Sequence, residues 1–275
     1  MTKEKSSIKR YAVPIYFILT FLLSWGCMYL IISPNVFPMT PEQSETLGPL
    51  TYIALLVGPS VAGILLIGVA DGKAGYRDLS SRLFNWRVGF RWYLFVLLFA
   101  PLLASAVLLI LSMFSSEFMP ALLTSDDKFS LLMSGIMSGI MVGIFEELGW
   151  TGFAVPRLRL RYGVLATGII VGLIWGAWHF LPFWEIDTFA GAFPLILLIM
   201  RLFSWLPPFR TLMVWVHDKT NSLLMVILMH ASLVFTTLAI PSPELSGNSI
   251  LIWLIVWATA LWGVALIVAK RDNYL

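Results

Sequence analysis

Eight apolar runs divide this chain, at 12–33, 51–70, 92–113, 129–155, 164–184, 191–216, 222–240 and 249–269. Each matches or exceeds the roughly 17–25 residues a helix needs to cross the hydrocarbon of a bilayer. No water reaches peptide groups there, so a spanning segment closes its own hydrogen bonds as a helix or joins a sealed barrel. Long runs without polar alternation fit helices. Composition agrees: 59% of the 275 residues are hydrophobic and 12% are charged, against about 25% charged in a soluble domain. We expect an all-α, polytopic membrane protein of about eight transmembrane helices, forming a single transmembrane domain over 1–275.

The connections decide orientation, because cytoplasmic loops carry the excess of Lys and Arg. Lys3, Lys5, Lys9 and Arg10 precede the first run. Lys73, Arg77, Arg82, Arg87 and Arg91 lie between the second and third, Arg157, Arg159 and Arg161 between the fourth and fifth, and Lys219 between the sixth and seventh. Lys270 and Arg271 follow the last. The opposite connections hold Lys128 among eight acidic residues, and Arg201 and Arg210 fall within the sixth run. Both termini are therefore expected in the cytoplasm, with the chain multi-pass in the cell (plasma) membrane. The net charge of +3 reflects topology and attraction to lipid headgroups, not nucleic-acid binding. The first run is too long for the apolar core of a signal peptide, and no small-x-small cleavage site follows it. The single cysteine, Cys27, excludes an internal disulfide and a multi-cysteine metal cluster. Residues 76–91 interleave Leu79, Leu83, Phe84 and Trp86 with arginines, as in a short helix lying in the interface. Pro207-Pro208 is expected to kink or break the sixth run.

Within the fourth run stand two adjacent carboxylates, Glu146 and Glu147. One carboxylate at bilayer depth costs roughly 2.5–3.5 kcal/mol on insertion scales, so two together must face protein or a wet cavity. Ser-Gly-Ile-Met occurs twice before them and builds a ladder, Gly135, Gly139 and Gly143, that Glu147 continues. The fifth run repeats the device at Gly168, Gly172 and Gly176, three residues before His179. Such stripes let helix backbones approach closely in lipid, so the fourth and fifth helices are expected to pack together. With basic ends at Arg157, Gly163 and Thr220, Glu146 lies about 16 Å deep, His179 about 24 Å and His230 about 15 Å. His217, beside Asp218 and Lys219, reads as a solvated loop residue. A carboxylate and imidazoles in one layer suit activation of a water, with the glutamate as general base and a further donor for a developing oxyanion. Two histidines and a glutamate could also hold zinc in an open three-ligand site, although no cofactor is required.

Three segments carry a family resemblance. Glu146-Glu147-Leu148-Gly149-Trp150, Trp175-Gly176-Ala177-Trp178-His179 with Phe180-Leu181-Pro182, and Leu228-Met229-His230-Ala231-Ser232 resemble, in order, the signature segments of the CPBP (CAAX protease and bacteriocin-processing, ABI) intramembrane proteases. The likeness covers about 129–240. It implies an eight-helix fold around a conical intramembrane cavity open to the cytosol, and a glutamate-dependent endopeptidase acting on a peptide or lipidated protein. By motif position Glu146 would be the base, Glu147 its support, His179 a holder of the water and His230 a member of the oxyanion side. Two positions depart from the pattern: Thr151 stands where the first motif ends in Arg, and Val234 where the third ends in Asn or Asp. We expect Arg201 or Arg157 to stand in for the missing arginine. Two readings compete: a catalytically impaired member acting as a bacteriocin-immunity or membrane-complex protein, and a proton-coupled carrier using the buried glutamates as a relay.

Overall fold

The computed structural model describes residues 3–32 and 38–271, with side chains from Tyr11 onward. The side chains of Lys3, Lys5, Lys9 and Arg10 lie outside the described residues. Every regular element among those described is helical: α1 (Lys3–Ile31), α2 (Pro41–Leu83), α3 (Phe90–Ser112), α4 (Ala121–Thr124), α5 (Lys128–Gly149), α6 (Val155–Arg159), α7 (Val164–Trp178), α8 (Phe180–Phe183), α9 (Ala192–Phe203), α10 (Leu206–Thr220), α11 (Leu223–Ala239) and α12 (Asn248–Arg271). A 3₁₀ turn (Ser116–Phe118) precedes α4, and a π turn (Trp150–Ala154) joins α5 to α6. Six helical stretches are long and apolar enough to cross a bilayer, and α7 and α11 are shorter apolar helices. The all-α, polytopic architecture read from the sequence is the one observed.

Local chemistry sets the ends. Thr40 and Gln43 form a reciprocal capping box at the start of α2, with Pro41 in the first turn. Asp127 caps α5 through the Ser130 amide at 3.0 Å, and Ser222 caps α11 through that of Met225 at 3.2 Å. Asn221 ends α10 at φ 48°, the left-handed conformation that asparagine tolerates.

The sixth run is two helices. The chain leaves α9 at Phe203 and restarts at Leu206, with Pro207-Pro208 in the first turn of α10. A helix start leaves its first four N–H groups without helical partners. Here two of those four residues are prolines, which have no N–H, and the Phe209 amide reaches the Trp205 carbonyl at 3.2 Å. The break thus leaves few donors to satisfy in apolar surroundings.

The segment at 76–91 carries a short helix up to Leu83 and an irregular turn beyond it. α2 turns at Gly72 (φ 62°, ψ −145°), where only glycine is unstrained, and then continues to Leu83. It stops there because the next turn is tied to the α10–α11 connection. The Asn85 side-chain amide donates to the carbonyls of Thr220 and Asn221, both at 3.2 Å, and the Ser222 hydroxyl donates to the Asn85 carbonyl at 2.6 Å. Arg82 is turned inward, 5% exposed, and donates to the Thr151 and Gly152 carbonyls of the π turn at 3.3 and 2.9 Å. A π turn displaces the usual i→i−4 pairing, and the guanidinium caps the carbonyls it frees.

The glycine ladders choose partners other than each other. A Cβ at Gly139 would lie 2.5 Å from the Ala231 carbonyl oxygen, and one at Gly143 2.7 Å from that of Ile227, so this ladder seats α11 on α5. A Cβ at Gly172 would lie 2.5 Å from the Pro207 Cα, and Gly168 and Gly176 abut Thr211 and Leu202, so the second ladder seats α10 and the end of α9 on α7. Two close-packed pairs, α5/α11 and α7/α10, replace the expected α5/α7 seam. Periodicity reveals a sticky face but not the helix that fills it.

Gly139→Ala and Gly172→Ala are each expected to destabilise the protein by about 1–3 kcal/mol, the usual cost of overpacking. Gly26→Ala, which enters open space, should leave the unfolding midpoint in detergent unchanged. Equal midpoints for all three would refute this account of the ladders.

Candidate active site

Residues 146 and 147 are about 100° apart around α5, so the two carboxylates meet different neighbours. Each first meets the side chain one turn ahead on its own face: Trp150 for Glu146 and Thr151 for Glu147.

Glu147 continues the glycine ladder toward α11 and is fully buried. Its Oε1 accepts from His230 Nδ1 at 2.7 Å and from Arg210 Nη1 at 2.8 Å. Its Oε2 accepts from the same Arg210 nitrogen at 2.9 Å and from the Thr151 hydroxyl at 2.5 Å. Arg210 is also 0% exposed. Three helices, α5, α10 and α11, thus meet on one carboxylate. A buried charge is tolerated when paired and hydrogen-bonded, and both conditions are met here.

Glu146, 2% exposed, is held differently. Trp150 Nε1 donates to its Oε2 at 3.1 Å and Trp175 Nε1 to the same oxygen at 2.7 Å. Oε1 accepts a hydrogen bond from no described residue.

Trp175 on α7 is the common neighbour. Its indole N–H holds Glu146, the Arg210 guanidinium lies over its ring 4.2 Å from the centroid, and the His230 and His179 rings meet it edge-on at 5.1 and 5.6 Å. His179 ends α7, where its Nδ1 sits 2.8 Å from the Trp175 carbonyl oxygen. A carbonyl only accepts, so this bond assigns the hydrogen to Nδ1 and leaves Nε2 as the acceptor. His230 Nδ1 likewise donates to Glu147, and its Nε2 is available.

Glu146, Glu147, His179 and His230 are therefore gathered around Trp175 and Arg210, from α5, α7 and α11. The site is closed: Glu147 and His230 are at most 1% exposed, and Trp150, Trp175 and Trp178 pack the space around them. The indoles close over the carboxylates. A cleft lined by Asp71, Asp78, Arg82 and Arg157 and a groove lined by Phe21, Trp25 and Ile174 lie elsewhere. Among the described residues no three His, Cys, Asp or Glu side chains are grouped as a metal would need.

Three expectations need correction. Arg201 does not reach the glutamates; it pairs with Glu185 at 2.8 Å. Arg157 pairs with Asp71 and donates to the Phe153 carbonyl at 2.8 Å. The cation beside the pair is Arg210, and it was legible by the argument that singled out the glutamates: a charge inside an apolar run needs a partner. His217 is no loop residue. α10 runs on to Thr220, and His217 is buried in its last turn at 8% exposure. Ser232 is engaged with the Leu97 carbonyl at 2.8 Å.

A sequence model of the type II CAAX prenyl endopeptidase Rce1-like family matches residues 128–236, from the start of α5 through most of α11. Among curated proteins, CAAX prenyl protease 2 of Methanococcus maripaludis is 26% identical over 187 residues. The alignment covers 62% of each protein, so the chain spans somewhat under two thirds of that relative's length.

Arg210→Met should strand Glu147 as an uncompensated buried charge, at a cost of about 3–5 kcal/mol. Glu147→Gln in the same chain should recover much of that loss. Thermal unfolding of the three variants in detergent checks it, and a stable single variant would count against the ion pair.

Proposed function

We propose that this chain is a member of the CPBP family of intramembrane proteases, a reading its likeness to the Rce1-like model and to the Methanococcus maripaludis protein supports, and that it hydrolyses a peptide bond with a water activated by Glu146. The observation that carries the reading is the inequality of the two glutamates. Both oxygens of Glu147 are engaged by Arg210, His230 and Thr151, so it serves as a structural anion. Glu146 has both its donors on Oε2 and keeps Oε1 for a proton.

In this reading a water sits between Glu146 Oε1 and His179 Nε2. Glu146 takes its proton as the oxygen attacks the scissile carbonyl carbon. The tetrahedral intermediate then collapses, and Glu146 returns the proton to the leaving amine. His230, whose Nδ1 donates to Glu147, orients that carboxylate and lines the oxyanion side with its ring. No cofactor is called upon. The substrate is a peptide or lipidated protein reaching the site within the membrane. The relative's printed name supports a prenylated one. Since the site is closed, a substrate enters only when the packing around Trp175 and His179 opens.

Thr151 and Arg210 weigh against an impaired site. Thr151 still donates to Glu147, and a cation from α10 supplies the charge absent from position 151.

Orientation is part of the proposal. Arg82 reaches the π turn, Arg159 pairs with Asp218 at 2.8 Å, and Asn85 binds the α10–α11 turn, so the Lys/Arg-rich connections gather at one end. Ala121 donates to the Ile240 carbonyl and Ser249 to Glu117 at the other. The basic end would face the cytoplasm of the cell membrane, with both termini there.

Glu146→Gln and His179→Ala should each lower kcat for a prenylated reporter peptide by about 10²–10⁴-fold, with unfolding midpoints near the parent's. Reconstituted vesicles and mass spectrometry of the product provide the assay. Cleavage that survives Glu146→Gln would remove the reading.

A further inference from the structure

Arg210 uses its guanidinium in an unusual way. An arginine paired with a carboxylate commonly presents two nitrogens as a fork. Here one nitrogen, Nη1, serves both oxygens of Glu147, at 2.8 and 2.9 Å. Nε and Nη2 are buried and have no hydrogen-bond partner among the described residues. Buried donors left unpaired are costly and rare. A lysine would neutralise Glu147 without carrying them.

These donors lie in the reacting layer. The guanidinium rests on Trp175, whose N–H holds Glu146 and whose ring edge meets His230 and His179. The neighbouring face of α11 supplies no other side-chain donor. Val234, one turn beyond His230, is apolar, and the Ser232 hydroxyl is spent on Leu97.

We infer that Arg210 is a catalytic residue, donating from Nη2 and Nε to the carbonyl oxygen of the scissile bond. This rests on the hydrolase reading. As the water oxygen bonds to the carbonyl carbon, the C=O π pair moves onto oxygen, the water proton passes to Glu146, and the new negative charge is taken by the two free N–H groups. When the charge returns as a carbonyl, the C–N bond breaks and Glu146 protonates the departing amine. One side chain does two tasks: Nη1 anchors Glu147, while Nε and Nη2 serve the substrate.

The test uses the full-length protein in vesicles with a prenylated reporter peptide. Arg210→Lys keeps a cation for Glu147 but removes the two nitrogens, Nε and Nη2, assigned to the substrate. It should retain the unfolding midpoint and KM while kcat falls about 10²–10³-fold, the loss typical of an oxyanion donor. A folded Arg210→Lys protein at parental kcat would overturn the inference and leave Glu146-dependent hydrolysis standing. If Arg210→Lys does not fold, Glu147→Gln is compared with Glu147→Gln/Arg210→Gln, which carries no buried charge at either position. A further drop in kcat in the double variant supports the inference, and equal kcat overturns it. A parent chain without Glu146-dependent cleavage overturns both readings.

Discussion

The contact between Glu147 and Arg210 organises this protein. Both side chains are completely buried, and neither is tolerable alone in apolar surroundings. Each must find the other, which fixes the axial position of α10 against α5. His230 then joins the same carboxylate and fixes α11. The second glutamate, displaced by a third of a turn, is thereby aimed at Trp175. Burying a charge pair contributes little net stability in general. Its effect here is to permit one arrangement of three helices and penalise the alternatives.

Small residues make that arrangement reachable. Gly139 and Gly143 bring the α5 backbone onto the carbonyls of α11, and Gly168, Gly172 and Gly176 bring α7 onto α10 and the end of α9. Large residues fill what remains: Trp150, Trp175 and Trp178 pack between the pairs, and each of the first two spends its N–H on Glu146. The same indoles that hold the carboxylate also cover it.

Much of this was legible in the sequence. Apolar length pointed to an all-helical membrane protein, because lipid leaves the backbone few options; six of the eight runs lie in helices long enough to span and two in shorter ones. Cost at depth pointed to Glu146 and Glu147. Partner choice was not legible. The ladders carry period but no address, so α5 was matched with α7 when it packs on α11. Arg201 and Arg157 were favoured as cations, yet each is satisfied near its own helix end, by Glu185 and Asp71. Arg210 shares the sixth run with Arg201, and position along a run does not say which of the two reaches the glutamates. His217 was misread because its charged neighbours suggest solvent, whereas helix phase turns it inward.

The prolines that start α10 have a consequence for how such a chain can vary. A helix beginning in apolar surroundings ordinarily needs a cap at a fixed place. A start whose donors are largely deleted has no such appointment to keep. Its position along the span is set instead by what α10 packs against, the Glu147 contact and the glycines of α7. Residues 204 and 205, between the two half-helices, are then the natural place for insertions and deletions to be absorbed, and the arginine downstream can be brought level with whatever depth the glutamates occupy.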